Sequence, residues 1–344
     1  MKKIMFYINA LHHGGAQRVM ANLANHIAEC GHEVVLVTSF RDSWEYSLSE
    51  KVRRISLFEN AVGNFIVRNV KLTCALRTLI KKEKPDSLVS FMAEPNFRAV
   101  IASLGMLHKT VISVRNDPNR EYPNAVFRFF AKTLFRFADH VVFQTEDAQR
   151  WFSKKIQQKS NIILNPVDDI FYNTQFEGKR HDVVTTGRLA PQKNHKLLIK
   201  AFAKVADKIE DNLYIYGEGE LRAELEQLVS DLKMQNRIFL PGAVKNVADT
   251  IKTAKLFVLS SDFEGMPNSL MEAMALGIPC ISTDCPCGGP KMLLNDESLF
   301  DCNNEEQLSV LLFKCVTLGK ENYKISPALF QMNVIAEKWL EAIL

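Results

Sequence analysis

No stretch of the 344-residue sequence reaches the roughly 18 consecutive apolar residues that a bilayer-spanning helix needs, so no segment reads as transmembrane. Neither sign of charge is in large excess. The 43 Lys and Arg against 39 Asp and Glu leave a net +4, too little to argue for nucleic acid as a partner. The seven cysteines are scattered and odd in number, and only Cys280, Cys285 and Cys287 cluster. No Cys-x-x-Cys pair or histidine spacing completes a zinc site, so the expectation is free thiols in a reducing cytoplasm and no metal. A Gly-x-Gly-x-x-Gly fingerprint is missing from both halves, which disfavours a dehydrogenase. Met1-Lys-Lys-Ile-Met-Phe-Tyr-Ile8 opens like a signal peptide, but its apolar part is too short and reads as a first strand, giving a cytoplasmic expectation.

What is present is an ordinary globular composition, 47% hydrophobic and 24% charged, in a chain long enough for two cores. Apolar runs alternate with helical stretches throughout. Strands are expected at Ile4–Ile8, Glu33–Thr38, Val52–Leu57, Ser87–Phe91, Thr110–Val114 and His140–Gln144. Asn165-Pro166 then marks a crossover and the polar Asp168–Arg180 segment a hinge. Further strands follow at Val183–Thr186, Asn212–Tyr216, Arg237–Leu240, Leu256–Leu259, Pro279–Thr283 and Leu299–Phe300. The pattern is α/β, with doubly wound parallel sheets in residues 1–165 and 166–327 and a helix over 328–344 carrying Trp339 on its apolar side.

Chemistry-bearing residues fall where strands end. In the first half the loop Asn9–Arg18 holds His12, His13 and the Gly14-Gly15 pair, which lets backbone approach a ligand at a helix N-terminus. Glu94, Asn96, Arg115, Asn116 and Asp117 follow two more strands and are expected to face a cleft. Residues 65–82 mix Phe65, Ile66, Val67 and Val70 with Arg68 and Lys71. Residues 124–137 set Arg128, Lys132 and Arg136 four apart among five phenylalanines. Both stretches suit either a lipid-facing surface or a core helix with a wet stripe; the phenylalanines are expected in the core.

In the second half the densest stretch is Ser261-Asp-Phe-Glu-Gly-Met-Pro-Asn-Ser-Leu-Met-Glu-Ala-Met-Ala-Leu-Gly277. Pro267 fits a first helical position and Gly277 the position past the end, so Glu264 stands in a loop at the mouth of a helix and Glu272 inside it. Backbone N–H groups across 265–268 are a ready phosphate site. Gly187-Arg-Leu-Ala-Pro-Gln-Lys-Asn194 follows an earlier strand, and its Arg188 and Lys193 can reach one pyrophosphate.

Glu264 and Glu272 with seven residues between them, together with Gly187–Asn194, resemble the retaining glycosyltransferases of family 4. The resemblance implies a GT-B fold, two Rossmann-like domains facing across a cleft, with an acceptor-binding first domain, a donor-binding second domain and a last helix crossing back. It implies a catalytic set of Glu264, Arg188 and Lys193, with the two cations clamping the diphosphate and Glu264 contacting hydroxyls of the transferred sugar. Glu272 would hold the ribose. Gly15, Gly187, Gly217, Val244, Asn246, Gly265, Met266, Pro267 and Asn268 would line the donor, and His13, Asn96, Arg115 and Asn116 the acceptor and sugar. Several relatives have a sugar-contacting histidine where Arg115 stands here. The implied reaction moves a hexose or N-acetylhexosamine from a nucleotide-diphosphate donor, UDP-linked by preference, to a lipid-linked glycan. It does so with retention, without a metal or cofactor, at the inner face of a membrane. A nucleotide-sugar epimerase and a non-catalytic sugar-nucleotide binding module are the alternatives.

Overall fold

The computed structural model describes residues 1–12, 14–43, 45–60, 63–174, 176–318 and 322–344. It divides into two compact units, Met1–Pro166 with Met332–Leu344, and Val167–Gln331. His13 lies outside the described residues.

The first unit is built on seven strands: β1 (Lys3–Ile8), β2 (Glu33–Phe40), β3 (Val52–Phe58), β4 (Ser87–Phe91), β5 (Lys109–Ser113), β6 (His140–Phe143) and β7 (Ser160–Ile162). They run parallel in the order β3-β2-β1-β4-β5-β6-β7. Helices cover both faces, so β4 is buried along its whole length and β1 from Ile4 onward, with no alternation between the two faces. The order reverses between β1 and β4, where Ile4 pairs with both Val34 and Ser87, so the loops leaving these two strands diverge. Such a switch point is where open α/β sheets place ligands. Strand β7 was not expected: three residues, two of them polar, carry no periodic signal, and only pairing with β6 defines them.

Helix α1 (Gly15–Glu29) follows the Gly-Gly loop, and α2 (Phe65–Glu83) starts where expected and ends on Lys84 in the left-handed region. The Asn64 side chain caps α2 by accepting the Val67 N–H at 3.0 Å. Leu72, Leu76 and Ile80, spaced by four, bury its second half. Its first turns stay outside, with Ile66 72% and Val70 57% exposed. The phenylalanines of 124–137 correct the expectation of a core. In α5 (Ala125–Leu134) and the 3-10 turn after it, Ala131 and Phe135 face inward, while Phe129, Phe130 and Phe137 are exposed. Ten residues of helix have one inward stripe, and the other rings fall off it.

In the second unit β8 (His181–Thr186), β9 (Leu213–Tyr216), β10 (Ile238–Gly242), β11 (Ala254–Leu259), β12 (Cys280–Thr283) and β13 (Leu299–Phe300) form a parallel sheet ordered β10-β9-β8-β11-β12-β13. Its switch point lies between β8 and β11. The segment expected as a hinge contains a short helix, Asp169–Asn173, with Phe171 buried. The last helix begins at Met332 rather than 328, because Pro327–Phe330 form a 3-10 turn whose Phe330 carbonyl accepts the Val167 N–H at 2.8 Å. From there the chain rejoins the first unit. Trp339 is fully buried against Phe91, ring centroids 5.2 Å apart, and Ser87 donates to the Ile343 carbonyl at 2.7 Å.

Candidate functional site

The loops leaving β8 and β11 meet at the switch point of the second sheet. The Asp262 N–H donates to the Gln192 carbonyl at 2.9 Å, and the Gln192 side chain donates to the Phe263 carbonyl at 2.9 Å. Ser260 donates to the Lys193 carbonyl at 2.9 Å. Asn194, in the left-handed region at φ 43°, caps the helix His195–Ala203 and donates to Asp262 Oδ1 at 2.7 Å. These bonds hold two loops that lie more than sixty residues apart in sequence.

Within that frame Lys193 Nζ lies 2.7 Å from Glu264 Oε1, with side-chain exposures of 19% and 10%. Ser261 Oγ donates to the same oxygen at 2.7 Å, and Thr283 Oγ1 donates to the Ser261 carbonyl at 2.5 Å. Two donors therefore converge on Oε1, while Oε2 has no partner among the described residues. A carboxylate fixed through one oxygen and open at the other can accept a hydroxyl, and the ammonium beside it can meet an anion. Arg188 is exposed, and its guanidinium has no partner among the described residues. Neither Ser261 nor Thr283 was foreseen as a contributor; a serine three residues before a glutamate carries no sequence signal of its own.

The helix after Glu264 runs Asn268–Ala275, with Pro267 as its N-cap at ψ 104°. Pro267, expected at the first helical position, thus stands one residue before it. It also has no N–H, so the backbone donors across 265–268 are those of Gly265, Met266 and Asn268. Glu272 is buried within the helix at 6% exposure, and Gly277 closes it at φ 67°. Two close approaches demand glycine. A Cβ on Gly217, whose φ is 149°, would stand 1.9 Å from the Gly187 carbonyl oxygen, and one on Gly289 would stand 1.9 Å from that of Gly265. Val244 and Asn246 follow the edge strand β10, and Asn246 caps the helix Val247–Ile251. Burial, and then the charge of Glu264, push the Cys285 thiol up.

In the first unit the expected site residues separate. Gly15 is exposed at the start of α1, and His12 Nδ1 pairs with Asp42 at 2.6 Å. Asn96, expected to face outward, is fully buried, with its amide donating to the Ser113 carbonyl at 2.8 Å. Arg115 also turns inward. Its guanidinium lies 4.4 Å from the Phe91 ring centroid and donates to Asn165 Oδ1, which accepts Gln144 Nε2 as well, at 2.5 Å. The apolar ring and the amide oxygen stabilise that inward rotamer. Burial lowers the Arg115 pKa to about 9. Asn116 is half-buried and accepts the Asp117 N–H at 2.9 Å, while Asp117 caps the one-turn helix α4 (Pro118–Glu121).

Comparison with known proteins bears on both units. A family model described as Glycosyl transferases group 1 matches residues 167–328, and one described as Glycosyltransferase Family 4 matches residues 13–170. The chain is 29% identical to GalNAc-alpha-(1->4)-GalNAc-alpha-(1->3)-diNAcBac-PP-undecaprenol alpha-1,4-N-acetyl-D-galactosaminyltransferase of Campylobacter jejuni, covering 100% of this chain and 98% of that protein. It is 27% identical to N-acetylgalactosamine-N,N'-diacetylbacillosaminyl-diphospho-undecaprenol 4-alpha-N-acetylgalactosaminyltransferase of the same organism, covering 90% and 88%. Among solved structures, Anabaena HepE in complex with UDP and glucose matches with a TM-score of 0.80 at 17% identity, covering 100% of this chain and 99% of that one. The fold is GT-B. With its first half matched by the family 4 model and its second by the group 1 model, the chain belongs to the family 4, group 1 glycosyltransferases.

Proposed function

We propose that this glycosyltransferase moves a hexose or N-acetylhexosamine from a UDP-linked donor to a lipid-linked glycan, keeping the α configuration. The second unit holds the donor and the first the acceptor. The observation that carries this reading is the convergence of Lys193 and Ser261 on one oxygen of Glu264 at the switch point, with the other oxygen open. Lys193 and Arg188 meet the diphosphate, Glu264 Oε2 accepts a hydroxyl of the transferred sugar, and Glu272 holds the ribose. The bond from the anomeric carbon to the donor phosphate breaks as the acceptor oxygen attacks from the same face. The departing phosphate takes the acceptor's proton, so no protein base is required, and the two cations stabilise the charge that develops.

The donor assignment is supported by UDP in the HepE complex, and the acceptor by the undecaprenol-linked substrates named for the Campylobacter relatives. Access to a lipid-linked acceptor would come through the first unit. Exposed Phe65, Ile66 and Val70 of α2 and Phe129, Phe130 and Phe137 around α5 stand among Arg68, Lys71, Arg128, Lys132 and Arg136, a composition suited to an anionic bilayer surface. Phe65 and Phe127 bring the two stretches together, with centroids 6.5 Å apart.

The test is release of nucleoside diphosphate from a panel of UDP-, GDP- and ADP-sugars by the wild type, Glu264→Gln and Arg188→Ala. Slow hydrolysis of one donor, lost in both variants and accelerated by membrane lipid extract, is expected. Conversion of a UDP-sugar to its epimer without acceptor would point to an epimerase instead. Nucleotide binding with no release from any donor would point to a binding module.

A further inference from the structure

The first unit has its own switch point, between β1 and β4, and its built polar cluster surrounds Arg98 of α3 (Ala93–Ser103). Arg98 is 2% exposed. Its Nε donates to Tyr7 Oη at 2.9 Å, Nη1 to Asn69 Oδ1 at 2.5 Å, and Nη2 to Asn9 Oδ1. Ser39 Oγ ties the same group together, 2.8 Å from Tyr7 Oη and donating to Asn9 Oδ1 at 3.1 Å. The guanidinium thus has neutral acceptors from β1, from the Gly-Gly loop and from α2. The one carboxylate on it, Glu94, is reached only by a long 3.4 Å contact from Nη1.

Glu94 is placed by an unusual turn. Met92 joins β4 to α3 at φ 76°, ψ 160°, a conformation costly for a residue with a Cβ. The strain is held by bonds converging on one carbonyl: Met92 N and Asn96 Nδ2 both donate to Ser113 O, at 3.2 and 2.8 Å. A strained turn fixed from below brings the Glu94 side chain to the sheet edge, one-third exposed at 32%. Its Oε1 has no partner among the described residues. Arg98 already has stronger partners, so a carboxylate kept at the edge of the switch point is not needed to satisfy it.

We propose that Glu94 binds a hydroxyl of the acceptor sugar, with Arg98 as the residue that positions it. This rests on the reading of the first unit as the acceptor side. The carboxylate accepts the sugar O–H through Oε1, and the guanidinium 3.4 Å from its other oxygen orients it. The group recognised is a hydroxyl-bearing pyranose at the growing end of the glycan.

The test uses the full-length protein and membrane lipid extract as acceptor source, with UDP affinity measured separately by calorimetry. Glu94→Gln is expected to raise the apparent acceptor KM roughly tenfold, the scale of one charge-assisted hydrogen bond, with UDP affinity and acceptor-free donor hydrolysis unchanged. Glu94→Ala should raise it further. Arg98→Lys, which keeps the charge and loses the fork, should raise the same KM by less. If Glu94 is only a counter-ion for Arg98, Glu94→Gln will lower the thermal midpoint and leave the acceptor KM alone, and the proposal fails. Parallel loss of UDP affinity would also overturn it. If the wild type shows no acceptor-dependent release at all, the acceptor-side reading fails and this assignment with it; retained acceptor dependence with an unmoved KM in Glu94→Gln sinks this assignment alone.

Discussion

Removing the charge of Glu264 should tighten product binding while slowing the reaction. Lys193 Nζ sits 2.7 Å from Glu264 Oε1, and both side chains are largely buried. A diphosphate arriving at Lys193 must share that ammonium with the carboxylate and stand within several ångströms of a like charge. At an effective dielectric near 20, two unit charges about 6 Å apart repel by about 3 kcal/mol. Relaxation and the loss of the Lys193 pairing leave about 1–2 kcal/mol to be recovered when the carboxylate becomes an amide. Glu264→Gln is therefore expected to bind UDP about 5- to 30-fold more tightly. Its transfer rate should fall by at least about a hundredfold, through loss of the acceptor for the sugar hydroxyl. Titration calorimetry with UDP alone isolates the first effect, because UDP lacks the transferred sugar whose hydroxyl Glu264 accepts. A double-mutant cycle with Lys193→Ala should show that the gain depends on the lysine. Unchanged or weaker UDP binding in Glu264→Gln would refute the idea that the two anions compete for one cation.

Three further outcomes follow from the geometry. Gly289→Ala forces a Cβ toward the Gly265 carbonyl, so it should lower UDP affinity and cost about 1–3 kcal/mol of stability by thermal unfolding; a variant like the wild type in both would show that the loop yields freely. Acid should move the two units in opposite directions. Burial, and then Lys193, hold His195 down at about 4, so stability from its neutral form is complete above the unfolded value near 6.5 and is lost as pH falls toward 4. Burial raises Glu121 to about 7, so its protonated form favours folding, a contribution lost as pH rises through 7. Calorimetry between pH 7.5 and 5 should show the second unit melting earlier and the first later relative to His195→Asn and Glu121→Gln controls; identical shifts in the variants would contradict this. Flotation with vesicles containing anionic lipid should recover the protein at low ionic strength and lose it with Phe129→Ser and Phe130→Ser combined, and absence of wild-type binding would remove the membrane reading.

The parallel sheets were readable because buried strands write themselves as apolar runs between turn residues, as Met5–Ile8 and Phe257–Leu259 do. Helix α2 was readable as a stretch over residues 65–82, whereas its Asn64 cap emerged only in the fold. Strand β7 was not, since a short polar edge strand exists only through its neighbour. The orientation of Arg115 was equally hidden. A residue at a strand's C-terminal end can turn outward or back onto the sheet, and the choice here depends on Phe91 and on Asn165, fifty residues away. The same holds for the side chains that arrange the carboxylates. Glu264 stood out through its motif, whereas Ser261, Asn69 and Arg98 act through partners that only the folded chain brings near.

The return of the last helix has a consequence for how the molecule comes into being. The first unit opens the sequence, yet the segment from Met332 that buries Trp339 against Phe91 is synthesised only after the whole second unit. During translation the early sheet therefore waits with an apolar face uncovered while the later one can already close. Each half could begin folding as it emerges, but the first is finished last. A nascent chain arrested before residue 332 should expose that face to chaperones and proteases, and release of the final helix would end the exposure in one step.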